Sequence, residues 1–210
     1  ISTESTTARI QGQEAWFTNL LLILRDKTHA TRRMMQRTWQ CDASLQAIGD
    51  ALISSPGSIV QMVQHSHDLA VWYAEPSAAS SRRPVETIFH HLRVAKHRFE
   101  SQCAPLSRVS MDWEADIRFW IRVNQERAGT RSTGLANIML DVLDPEFICQ
   151  ASMLADASCE MLTLIRCVNV SEVDSALIAG TINRCLKCLH TFFGEEEVWR
   201  VEGHTGLAVE

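Results

Sequence analysis

Residues 144–194 read DPEFICQASMLADASCEMLTLIRCVNVSEVDSALIAGTINRCLKCLHTFFG, and this stretch decides the fold class. Its first three residues are a capping Asp144, Pro145 at the first helical position and Glu146 in the positive first turn, so they predict a helix N-terminus. Apolar residues then recur at steps of three and four, which places them on one helix face. These residues are Ile148, Ala151, Leu154, Met161, Leu162 and Ile165.

A second helix follows in the same stretch. Ser171 with Asp174 has nearly the spacing of a capping box and restarts the chain, and Gly194 is a plausible helix stop. The second apolar face comprises Leu177, Ile178, Ile182, Cys185, Leu189, Phe192 and Phe193. We expect this helical hairpin to be the hydrophobic spine of an all-helical domain.

The remainder of the chain shows the same periodicity and no confident strand. Only nine Gly and five Pro occur in 210 residues, which argues against a β-sandwich or barrel. We therefore predict a single all-α domain over residues 1–210, an irregular bundle of about eight helices with no significant sheet. Further helices are expected at residues 11–27, 29–40, 43–53, 59–73, 84–99, 111–128 and 135–143.

Several segments between and beyond these helices are predicted to be non-helical. The Ser- and Ala-rich run at 75–83 is predicted to be a loop, with a subdomain break at 75–84. Residues 102–108 contain Pro105 and are predicted to be a connector, after which Ser110 caps the next helix and Gly129 ends it. The chain ends, 1–10 and 203–210, are expected to be frayed.

Composition narrows the setting of the protein. The net charge is −5, and the seven cysteines are an odd number, several of them on apolar helix faces. This favours a reducing, intracellular compartment (cytoplasmic or nuclear) without a disulfide framework. No apolar run approaches the roughly 20 residues that cross a bilayer, so no membrane span is expected. The chain starts without Met, and we interpret it as a domain of a larger protein.

Metal-binding patterns are few. Cys185, Cys188 and His190 form the sharpest one: the two thiols could share a zinc ion, and His190 or His204 could complete the tetrahedral site. On a regular helix the two thiols point about 60 degrees apart, so we interpret them as core and surface cysteines and keep zinc as the alternative. Three acids near a helix start, Asp112, Glu114 and Asp116, are interpreted as first-turn acids that favour the helix dipole, with Mg²⁺ as the alternative.

Motifs for nucleophilic or phosphate chemistry are absent from the sequence: there is no GxSxG, GxxxxGK[ST] or GxGxxG pattern. We therefore nominate no catalytic residue and expect no cofactor. An enzymatic role is disfavoured on these grounds.

An interaction surface is the preferred functional hypothesis. Six Trp and an Arg-rich set of basic residues are typical of protein interfaces. The first predicted helix is apolar over more than one stripe, and an Arg-rich segment follows it. The candidate residues are Trp16, Phe17, Leu20, Leu21, Leu24, Arg32, Arg33 and Arg37.

The predicted function is thus a non-catalytic helical interaction, scaffold or regulatory domain that binds a protein partner or a second copy of itself. Two alternatives stay open. The Arg-rich stretches 25–37 and 82–98 would suit a nucleic acid. A pocket inside the bundle, with His and Trp in its lining, would suit a small molecule or cofactor.

Overall fold

The computed structural model describes residues 37, 42–81, 92, 100–169, 175–195, 197 and 203–209, and every structural statement below concerns these residues. They form helices and no strand, which confirms the all-α class. The helices are α1 (Ala43–Gly49), α2 (Ile59–His65), α3 (His67–Ser81), α4 (Glu100–Val109), α5 (Trp113–Glu126), α6 (Arg131–Val142), α7 (Pro145–Asn169), α8 (Ser175–Leu189) and α9 (His204–Val209). Single π-helical segments, Asp50–Ser54 and His190–Gly194, extend α1 and α8.

Helix α7 is the centre of the described fold. It begins as predicted, because Asp144 Oδ1 accepts a hydrogen bond of 2.7 Å from the backbone N–H of Phe147 and Pro145 is the first helical residue. Helix α7 packs against α1, α4, α8 and α9. On length and hydropathy Pro145–Val168 could cross a membrane, in contrast to the sequence expectation, but a core helix passes the same test and this one carries the main core.

The main core contains buried residues from each of the helices α1 to α7. Tyr73, Phe119 and Trp120 are fully buried, and their rings meet edge to face. The indole N–H groups are paired: Trp120 Nε1 donates to the carbonyl of Gly57 at 3.1 Å, and Trp113 Nε1 donates to Ser152 Oγ at 3.1 Å. The predicted helix end at Gly129 is confirmed by its φ of +79°.

Two predicted interruptions are helical instead. Helix α3 runs through Pro76 to Ser81, so the first part of the predicted 75–83 loop is helix. Helix α4 contains Pro105, in the predicted connector 102–108. A proline costs one backbone hydrogen bond, and in α4 the burial of Cys103, Leu106 and Val109 against the core outweighs that loss.

Two predictions about helix ends also need correction. Asp112 rather than Ser110 caps α5, since Asp112 Oδ1 accepts from the backbone N–H of Ala115 at 3.2 Å. The expected frayed tail at 203–210 is ordered at His204–Val209, where α9 packs on α7 with His204 and Thr205 buried. A distant carboxylate holds this helix, as described below.

The second half of the predicted spine, α8, is only partly covered. It meets α7 through a small cluster of Leu164, Val168 and Cys185, with Ile178 and Leu189 packed against it. Leu177, Ile182 and Phe193 were predicted to be core residues, but their side chains are exposed. Helix α7 alone is therefore the spine of the described fold. The capping residues Ser171 and Asp174 lie outside the described residues.

Candidate functional site

The exposed side of α8 carries a continuous apolar stripe. It consists of Ala179, Ile182, Leu186, Leu189 and Phe193, spaced alternately three and four residues apart. This is the heptad spacing that helices use to pack on other helices. Leu186 is 60% exposed and its neighbours Ile182 and Phe193 are 39% and 37% exposed, whereas Leu189 is half-buried because it also packs against the cluster between α7 and α8. Within the described part of the chain the stripe is therefore open to solvent around Leu186. We refer to these five residues as the α8 stripe.

An apolar pocket adjoins the end of the α8 stripe at Phe193. Its volume is about 290 Å³. It is lined by Leu45 of α1, Gln150, Met153, Leu154, Ala157 and Met161 of α7, and Phe193. Two Met side chains make the lining adaptable in shape, because the unbranched thioether has three rotatable bonds. The pocket could therefore accept one large apolar side chain presented beside the stripe.

The charged side chains on helix α8 itself are of one sign. Within Ser175–Leu189 the ionisable groups other than thiols are Arg184 and Lys187, both exposed, and the helix contains no Asp or Glu. Lys187 borders the stripe beside Leu186, whereas Arg184 lies on the side of Leu177, and the exposed Glu195 follows Phe193 at the end of the stripe. An acidic side chain of a partner is therefore favoured next to Lys187.

A polar cluster lies where α4, α7 and α9 meet. Ser107 Oγ is 3.0 Å from His204 Nε2, and Cys159 Sγ is 3.8 Å from the same nitrogen. The Asp156 carboxylate accepts from the backbone N–H groups of His204 and Thr205 at 2.8 and 2.9 Å, and from Thr205 Oγ1 at 2.6 Å. A serine, a cysteine, a histidine and an aspartate thus meet although up to 97 residues separate them in the chain.

This cluster does not have the roles of a catalytic triad. The Asp156 carboxylate bonds the backbone at the start of α9, instead of orienting the imidazole. Burial raises the pKa of the Cys159 thiol, which disfavours the reactive thiolate. Burial also lowers the pKa of His204, although the Asp156 charge and the Ser110 backbone act in the opposite direction. We interpret the cluster as a clasp that holds α9 on the bundle.

A further buried carboxyl group, separate from this cluster, lies on α5. Asp116 is fully buried, and its pKa is raised well above 3.8, first by burial and then by the charge of Asp112. The Arg108 charge and the nearby Tyr73 hydroxyl oppose this rise. Asp116 is therefore a core acid, and only Glu114 of the three predicted first-turn acids is exposed, where it pairs with Arg118.

The candidate zinc ligands do not converge. Cys185 is buried against α7, whereas His190 is exposed and its Nδ1 lies 3.5 Å from Glu195 Oε1. Among the described residues no group of three or more His, Cys, Asp or Glu is placed to hold a metal ion. His204, the suggested fourth ligand, belongs to the Asp156 clasp. The six described cysteines are free thiols.

The interaction surface predicted in the first helix lies outside the described residues. This applies to Trp16, Phe17, Leu20, Leu21, Leu24, Arg32 and Arg33. Arg37 is described and is exposed in a helical conformation. Of the Arg-rich stretch 82–98 only Leu92 is described, and it is buried. Both predictions remain predictions.

Sequence reasoning missed the α8 stripe as a surface. The spacing of Ile182, Leu189 and Phe193 was visible, but it was assigned to the core. Leu186 lies between them at heptad spacing and was the signal that this apolar face is wider than α7 alone can cover.

Comparisons with known proteins found no matching family model, no similar curated protein and no similar solved structure.

Proposed function

We propose that this protein is a non-catalytic interaction domain that binds an amphipathic helix of a partner protein on the α8 stripe. The observation that carries the proposal is the heptad-spaced apolar stripe, open to solvent and continuous with an apolar pocket at Phe193. An apolar face laid into such a groove is a common mode of peptide recognition by helical proteins.

The partner helix should have two chemical properties. Its contact face should carry Leu, Ile or Met at steps of three and four, with one large side chain placed to enter the pocket at Phe193. Its flank should carry Glu or Asp where it passes Lys187, because this cation borders the stripe beside Leu186.

The test uses a fluorescent peptide of about five helical turns with such a Leu stripe and Glu flanks. Fluorescence anisotropy should show saturable binding to the protein. Leu186→Glu should weaken binding at least about tenfold, because it places a charge in the apolar contact. The matched control is Leu177→Glu, since Leu177 is 58% exposed on the opposite side of the same helix.

Equal loss in both variants, or no binding at about 100 µM protein, would contradict the proposal. A peptide with Lys flanks should bind more weakly than its Glu counterpart, and stronger binding would contradict the charge argument. Sedimentation velocity of the protein alone distinguishes a second copy as the occupant. Self-association that Leu186→Glu abolishes and Leu177→Glu preserves would replace the acidic partner by a homodimer.

A further inference from the structure

A cleft separate from the α8 stripe lies between α2, α3, α5 and α6. Its volume is about 650 Å³, and it is lined by side chains of α2, α3 and α6, of the segment before α2 and of Arg127, the residue that follows α5. Its polar residues are Ser54, Gln61, His65, Ser66, Arg127, Arg131 and Ser132, and its apolar residues are Pro56, Met62, Leu69 and Leu135. The lining contains two arginines and a histidine, and no aspartate or glutamate.

One of the two arginines is fixed in place. Arg127 Nη2 lies 2.9 Å from Asp68 Oδ2, and its guanidinium stacks on the ring of Trp72 at 5.4 Å from the centroid. This pairing balances the charge of Arg127 but leaves the guanidinium with further N–H donors, since it has five. Because the guanidinium is already held in place, less conformational entropy is lost when an anion binds to it.

The other arginine supplies uncompensated charge. Arg131 is exposed at the first position of α6 and forms no ion pair with any residue that the structure describes. A carboxylate or phosphate matches the planar guanidinium fork, because two parallel N–H donors can face two oxygens. His65, at the exposed end of α2, adds an imidazole N–H donor.

Hydroxyl donors complete the polar side of the cleft. Ser66 Oγ accepts a hydrogen bond from the backbone N–H of Leu69 at 3.4 Å, so its own proton is available to a ligand. Ser132 lies in the first turn of α6, a 12-residue helix, where the helix dipole favours negative charge. Hydroxyls and cations from separate helices therefore line the same space.

The cleft also has an apolar wall, part of which belongs to the core. Met62 and Leu69 belong to the core, and Leu135 packs closely on the turn before α2: a Cβ added at Gly57 would lie 3.0 Å from the Leu135 carbonyl oxygen. A bare anion would leave this wall exposed to water, whereas an anion attached to an apolar group would cover it.

We propose that this cleft is a binding site for a small organic phosphate, with its phosphate on Arg131, Arg127 and the serine hydroxyls and its apolar part against Met62 and Leu135. The proposal does not depend on the α8 stripe, which lies on other helices. The phosphate could also be free in solution as the inorganic ion, and the apolar wall is the reason to assign an ester instead.

Isothermal titration calorimetry at low ionic strength, in a chloride buffer, tests the site with phenyl phosphate and inorganic phosphate. Phenyl phosphate should bind with one-to-one saturation, at least about tenfold more tightly than inorganic phosphate, because its ring covers the apolar wall. Arg131→Ala should weaken binding about tenfold or more, since it removes a charge-assisted pair of hydrogen bonds.

Arg118→Ala is the matched control, because Arg118 is exposed on α5 and pairs with Glu114 away from the cleft. It should bind phenyl phosphate like the unaltered protein. No saturation by about 10 mM phenyl phosphate overturns the site. An equal loss in Arg118→Ala overturns the assignment to the cleft, and equal affinity for inorganic phosphate overturns the assignment to an ester.

Discussion

Removal of the Asp156 carboxylate should release the C-terminal helix α9. The carboxylate accepts three hydrogen bonds from His204 and Thr205, and all of these donors are buried. A hydrogen bond to a charged acceptor contributes about 1.5 to 3 kcal/mol, so three of them set an upper range of roughly 5 to 9 kcal/mol. Undocking of α9 limits the loss to its docking free energy, and we expect Asp156→Ala to lower the free energy of unfolding by about 2 to 4 kcal/mol.

Two measurements test this reasoning. Urea denaturation gives the loss of unfolding free energy, with Asp141→Ala as the control, because Asp141 is exposed and such surface changes stay within about 0.5 kcal/mol. Hydrogen exchange at the N–H groups of His204 and Thr205 should accelerate at least about a hundredfold in Asp156→Ala. A variant with stability and amide protection like those of Asp141→Ala would refute the clasp.

Three further predictions follow from the same region and from α8. The lowered pKa of His204 means that its neutral form is favoured in the folded state. The stabilisation from the neutral form is therefore fully present above about pH 6.5, and it is lost as the pH falls through the folded pKa. His204→Gln should flatten this part of the profile of unfolding free energy against pH. The raised pKa of Asp116 gives the opposite pH dependence of stability. The folded state keeps a proton that the unfolded chain loses above pH 3.8, so the free energy of unfolding falls as the pH rises. Asp116→Asn should therefore raise the free energy of unfolding at pH 7 by about 1 kcal/mol or more. Gly203→Ala should destabilise the protein in thermal unfolding, because its Cβ would lie 2.7 Å from Asp156 Oδ1, whereas Gly180→Ala in α8 meets nothing within 4 Å and should stabilise it by about 0.5 to 1 kcal/mol.

For each of these predictions, one experimental result would contradict the physical argument. A pH profile of His204→Gln that is parallel to that of the unaltered protein below pH 6.5 would show that the histidine titrates alike in both states. A loss of stability in Asp116→Asn at pH 7 would mean that the carboxylate is ionised and paired in the fold. Equal melting temperatures for Gly203→Ala and Gly180→Ala would show that the Asp156 carboxylate moves aside without cost.

Helix ends and apolar helix faces could be predicted from the sequence where they depend on residues close together in the chain. The Asp144–Pro145 start, the Gly129 end and the apolar face of α7 were all predicted, because capping and periodicity act within about four residues. Pro76 and Pro105 misled the prediction for a related reason. The local cost is real, but at Pro105 the burial of Cys103, Leu106 and Val109 against distant residues exceeds it, and those contacts have no trace in the neighbouring sequence.

The candidate sites depend on distant residues to a greater degree. Ser107, Asp156 and His204 are ordinary residues in the sequence, and only the packing of α4 and α9 on α7 brings them together. Similarly, Arg127 and Arg131 showed no pattern until helices α2 and α3 placed His65 and Ser66 across from them. No short sequence motif indicates such contacts between distant residues.

By itself the sequence determined that this protein is all-helical, where α1 and α7 begin, and which side of α7 is apolar. Only the tertiary structure decided which apolar sides are covered: α7 is enclosed by four helices, while the α8 stripe remains open around Leu186. The physical reason is that helix formation is governed by hydrogen bonds and side chains a few residues apart, whereas burial is governed by which surfaces of the folded chain face each other.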